Sequence, residues 1–106
     1  MASSSQTQLS AATTLVQLLQ EHPDLSDFMS WSILRTRPML IGYVQDGGAP
    51  VLAACVNYIG GTVVKDGEPY ENGGRRVQRH VLETTWRDAP VEIVALVPVS
   101  SEAVAA

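Results

Sequence analysis

The chain has 106 residues, 45% of them hydrophobic, and a formal net charge of −4. That length suits one domain, residues 1–106, that buries somewhat over ~60% of its unfolded surface, with frayed small-residue tails at about 1–5 and 100–106. The negative charge disfavours nucleic acid or an anionic membrane as a partner. No run approaches the ~20 apolar residues of a membrane span, and the N-terminus lacks a basic stretch followed by a long apolar one. Cys55 is the single cysteine, which excludes an internal disulfide and a multi-cysteine metal cage and fits a cytoplasmic location.

The first twenty residues carry no charged side chain. Leu9, Ala12, Leu15, Val16 and Leu19 recur at helical spacing, which predicts a helix over about 6–21, stopped by His22-Pro23. Residues 24–28 read as a short turn. Met29–Leu34 and Met39–Val44 read as two strands around Arg35-Thr36-Arg37-Pro38, the first half-buried through Trp31 and Ile33, the second apolar on both sides and therefore central. Asp46-Gly47-Gly48 breaks that strand. Pro50 suits the first turn of a second helix, whose apolar stripe is Val51, Leu52, Cys55, Val56 and Ile59 and whose C-cap is Gly60. Thr62–Lys65 reads as a short strand, and Asp66–Gly74 as a turn-rich mobile loop.

Arg75–Val99 reads as one long β-hairpin turning at Arg87-Asp88-Ala89-Pro90. With Asp88 and Ala89 at the tip, Trp86 lies opposite Val91, Leu82 opposite Ala95 and His80 opposite Val97. This face carries the large apolar residues near the turn, so it is assigned to the core. The other face carries Arg79, Val81, Glu83 and Arg87 against Glu92, Val94, Leu96 and Pro98, a solvated charge ladder on an apolar background. The order α-β-β-α-β-β-β implies an α+β fold: a mostly antiparallel sheet of about five strands, with two helices on one face.

Catalytic constellations are sparse. His22 at a helix C-terminus is read as a capping residue, and His80 as a structural or half-exposed residue of the core-facing side. A Cys55–His80 nucleophilic pair is conceivable because the second helix can cover the hairpin, but no oxyanion signature accompanies it. The carboxylates follow no metal-binding spacing, although Asp66, Glu68 and Glu71 share one loop. No cofactor is implied. Arg75, Arg76 and Arg79 form a basic cluster. It either pairs locally with Glu68 and Glu71 or, joined by Arg35 and Arg37, holds an anion through planar guanidinium forks.

His22-Pro23-Asp24-Leu25, Trp31-Ser32-Ile33, Gly60-Gly61-Thr62-Val63 and Thr85-Trp86-Arg87-Asp88-Ala89-Pro90-Val91-Glu92 together resemble short α+β proteins of actinobacteria and their phages that have no assigned activity. The resemblance implies a cytoplasmic protein of bacterial or phage origin and names no site. The residues themselves carry one further hint. Strand 91–97 is apolar on both faces, so something must cover the second face, either the first helix or another protein. The expectation is a small noncatalytic interaction protein, a homodimer or a partner of another protein, with Val94, Leu96, Arg79 and Glu92 at the contact. The alternative is a regulator that binds nucleic acid or a phosphorylated ligand through its arginines.

Overall fold

The computed structural model describes residues 4–34, 39–45, 48–87 and 89–99. Helix α1 (Ser4–Glu21) leads into a short 3-10 turn (Pro23–Asp27). Strands β1 (Met29–Ile33) and β2 (Leu40–Val44), helix α2 (Gly48–Ile59) and strands β3 (Thr62–Asn72), β4 (Arg75–Trp86) and β5 (Ala89–Pro98) follow. This is the expected α+β order. The tails at 1–3 and 100–106, the 35–38 turn with Arg35 and Arg37, and Asp46-Gly47 lie outside the described residues. Ser4 and Ser5, expected in the frayed tail, belong to α1.

The five strands form one sheet in the order β1-β2-β5-β4-β3. Three pairings are antiparallel, and β2 with β5 is parallel. β5 returns from the hairpin to lie beside β2, so the two strands that are apolar on both sides take the inner positions, where both faces are best shielded.

Both helices pack on one face. Ala11 and Leu18 of α1 and Leu52, Cys55 and Ile59 of α2 join Met29, Leu40, Leu82, Val91, Ile93 and Ala95 in a single buried cluster. α1 ends as expected: the His22 amide bonds back to Leu18, and Pro23 forbids continuation. Within β2, Gly42 is a close-approach position. A Cβ there would stand 2.7 Å from both Met29 Cε and Trp31 Cζ3, so the missing side chain lets β1 lay its large residues across β2.

The β4–β5 hairpin is tighter than the sequence suggests. Trp86 pairs with Ala89, Thr84 with Val91, Leu82 with Ile93 and His80 with Ala95. The register is thus displaced by two residues from the expected one, and Asp88, expected at the tip, lies outside the described residues. Arg87 adopts a left-handed backbone with φ 51°. A two-residue shift keeps every side chain on its face, so the assignment of Leu82, Ile93 and Ala95 to the core holds. The charge ladder changes. Glu83 lies directly opposite Glu92, a like-charge pair, and Arg87 turns away to pair with Glu21 at the end of α1, its guanidinium 4.2 Å above the Trp86 ring.

β3 is the main departure. The expected loop Asp66–Gly74 is mostly strand: β3 runs through to Asn72, pairing Thr62–Asp66 with Glu83–Arg79 and Tyr70–Asn72 with Val77–Arg75, with a register shift between Asp66 and Tyr70. Gly67, Glu68 and Pro69 carry loop chemistry, yet they form a bulge inside the strand rather than its end. The outlying β3–β4 ribbon also stretches the molecule. Its Cα radius of gyration is 15.1 Å, against about 13 Å for a compact chain of this length.

Gly61 sets the start of β3. It has φ 101°, and a Cβ there would fall 2.6 Å from the Glu83 carbonyl oxygen and from Thr84 Cβ. Gly61→Ala is expected to cost roughly 2–4 kcal/mol, combining backbone strain with a clash against backbone. Gly67→Ala, with φ 75° but nothing within 4 Å, is expected to cost about 1 kcal/mol. Urea unfolding monitored by Trp fluorescence checks the pair: similar midpoints for the two variants would contradict the packing account.

Candidate interaction surface

The residues with nucleophilic or acid–base chemistry do not converge. Cys55 is 1% exposed within the helix–sheet core, its thiol 3.8 Å from Met29 Sδ. Burial, with Asp24 nearby adding to the effect, pushes that thiol up to about 11, so it is protonated at neutral pH and is no nucleophile there. His80 is half-buried one strand away from the sheet's edge, beside Val63 and the Ala53–Val56 flank of α2 rather than at the core thiol. His22 has a role that the sequence pattern misses. Its ring stacks on Tyr58 of α2, with centroids 3.7 Å apart and planes within 9°. Tyr58 donates to Asp24 at 3.3 Å, and the carboxylate charge raises the phenol. The three side chains tie the end of α1 to α2. Among the described residues no three His, Cys, Asp or Glu side chains gather as a metal site would require.

The arginine cluster is split by strand alternation. Arg76 points to the helix-bearing face and meets Glu71 at 3.9 Å, whereas Arg79 points to the opposite face and pairs with Asp66. Arg75 stands at the start of β4 beside a cavity of about 550 Å³ shared with Asn72, Gln45 and the first turn of α2. The three do not form one surface, and Arg35 and Arg37 lie outside the described residues. Glu71 is the local partner the sequence suggests, and Asp66 takes the place expected of Glu68.

What remains open is the far side of the sheet from the helices. Val77, Val81, Val94 and Ile41 lie on that face and are 3–7% exposed, yet none belongs to the cluster the helices help to form. Around them Leu96, Arg79 and Glu92 are half-buried and Tyr43 is 40% exposed. The registers align Tyr43, Val94, Val81 and Val64 into one transverse apolar row across four strands. Val94, placed at a contact by the sequence pattern, is therefore sheet interior, and Leu96 is its half-buried rim.

β3 closes that row and is the most exposed element. Every position except Pro69 is exposed, including Val63, Val64 and Tyr70 at 38%, 45% and 43%. Its outer side has no strand neighbour, because β3 ends the sheet. The opposite edge, β1, is short, and Trp31 and Ile33 pack against the core. The bulge at 67–69 and Pro69 guard the distal half of β3, since a bulge and a missing amide both spoil pairing with another chain. The proximal half, Thr62–Asp66, is in regular register. The sequence contains one signal for this surface, the adjacent Val63-Val64, but the turn residues that follow hide the length of the strand.

Compared with known protein families, curated proteins and solved structures, the chain matches none. No helix among the described residues is long and apolar enough to cross a membrane.

The Cys55 environment has a measurable consequence. The folded chain keeps a thiol proton that the unfolded chain releases near 9, so stability is intact below pH 9 and declines as the pH climbs towards about 11. Native protein at pH 8 is expected to resist iodoacetamide and to react fully in denaturant, as followed by intact mass. Cys55→Ala is expected to flatten the alkaline decline of the melting temperature. Rapid native alkylation would mean that the core opens at α2.

Proposed function

We propose that the protein is a small noncatalytic interaction module that associates with protein through the open β3 edge of its sheet. The observation that carries this reading is β3: eleven residues of edge strand, exposed at every position but Pro69, with apolar side chains on both faces. An open edge presents a row of backbone donors and acceptors, which another strand completes, and flanking side chains give the choice of strand. The reading keeps Arg79, Glu92 and Leu96 at the periphery of the contact and moves its centre to Val63, Val64 and Tyr70. Val94 contributes through the interior of the row and not as a contact residue.

An anion-binding role through the arginines has less support. Arg76 and Arg79 face opposite sides of the sheet and each has a carboxylate partner, and the net charge of −4 opposes a polyanion.

Hydrogen exchange across a dilution series tests the proposal. The amides of 62–66 that point away from β4 are expected to be protected at high protein concentration and to lose that protection on dilution, while the alternate amides bonded to β4 and those of α1 and α2 do not change. Exchange at the outward-pointing amides of 62–66 that does not respond to concentration or to added partner would remove the reading. Val94→Lys and Leu96→Lys separate core from contact: Val94→Lys is expected to destabilise the fold by roughly 2–4 kcal/mol, the larger effect, because it places a charge where the residue is 7% exposed.

A further inference from the structure

We infer that the strand completing the β3 edge is β3 of a second copy, joined antiparallel across a two-fold axis that passes through Val64. This rests on the proposed association through β3 and adds its partner and its register. The open stretch is five residues long, Thr62–Asp66, because the register with β4 shifts beyond Asp66. A two-fold axis normal to the sheet carries each face into itself, so a residue is opposed by itself or by one an even number of positions away. Val64 is the middle of the five, and an axis there uses all of them.

Charge selects the same axis. Centred on Val64, the contact opposes Val64 with Val64, Val63 with Lys65 and Thr62 with Asp66, whose carboxylate accepts from the threonine hydroxyl. Moving the axis to Lys65 would oppose lysine with lysine, and moving it to Asp66 would oppose aspartate with aspartate, both unfavourable at directly facing positions. Moving it to Val63 would leave only three strand residues paired. The Val64 axis also joins the two transverse rows. Tyr43, Val94, Val81 and Val64 of one copy continue into Val64, Val81, Val94 and Tyr43 of the other, an unbroken apolar line across the eight inner strands of a ten-stranded sheet. Val64 is 45% exposed in the single chain, and this contact is what covers it. The bulge and Pro69 keep the assembly closed at two copies, since the part of β3 left beyond the paired stretch lies past the register shift.

Val64 is exposed, so substitutions there leave the fold intact, and Cys55 is buried, so an added cysteine is the accessible thiol. Native mass spectrometry of the full chain is expected to show a dimer. Val64→Lys and Val64→Asp are each expected to weaken it tenfold or more, and an equal mixture of the two is expected to recover a dimer containing one of each, because lysine then faces aspartate across the axis. Val64→Cys is expected to form a disulfide-linked dimer under mild oxidation, since directly opposed residues have Cα atoms about 4.5–5.5 Å apart, whereas Tyr70→Cys is not. A wild-type dimer that neither charge variant weakens, or that Tyr70→Cys links as readily as Val64→Cys, would overturn this register and leave association through another part of the sheet. A chain that stays monomeric at all concentrations, with the outward-pointing amides of 62–66 unprotected, would overturn both.

Discussion

The pairing of β4 with β5 is the constraint on which the rest of the structure depends. It places Leu82, Ile93, Val91 and Ala95 on one face, and these form the floor on which α1 and α2 settle. It carries β5 back to the middle of the sheet, where the free edge of β5 takes β2 in parallel and, through β2, takes β1. It also leaves the free edge of β4 to β3. Loss of this register by one residue would expose the floor and bury Arg79, Glu83 and Glu92, an exchange no surface pairing could offset.

The distribution of cover follows from that arrangement. Two helices and the 3-10 turn pack over the β1, β2 and β5 side, and the His22–Tyr58–Asp24 contact binds α1 to α2. The chain then leaves α2 through Gly60 and Gly61, both with positive φ, and runs out along β4 with no further helix among the described residues to lay on it. The protein therefore has one guarded edge and one open one. Among the described residues the arginines form two ties between neighbouring strands, Arg79 to Asp66 and Arg76 to Glu71, and one long-range tie, Arg87 to Glu21. Exposed pairs of this kind are worth about 0–1 kcal/mol each and serve to orient side chains more than to hold the fold. Cys55, buried and protonated, serves packing.

The asymmetry gives the surface its character. An edge that is apolar on both faces is a hazard unless it is short, charged, bulged or occupied. β3 combines these measures unevenly: a bulge and proline protect its distal half, whereas the half next to α2 has one lysine and two exposed valines. Val63 and Val64, on opposite faces of that half, are 38% and 45% exposed in the single chain.

The sequence by itself determined the class, the element order and the faces. Period-2 alternation in 78–97 and helical spacing in 9–19 and 51–59 are local properties, set by which residues must leave water. It also determined that Asp66, Glu68 and Glu71 neighbour the arginines of β4. The tertiary structure decided what depends on partners distant in the chain. It put β2 parallel to β5, shifted the hairpin by two residues because Arg87 accepts a left-handed turn, and stacked His22 on Tyr58. Above all it drew Asp66–Asn72 into a strand against the propensity of Gly67 and Pro69. The ladder bonds to β4 outweigh local turn preference once β4 is held by β5, and no pattern within 62–72 records that neighbour.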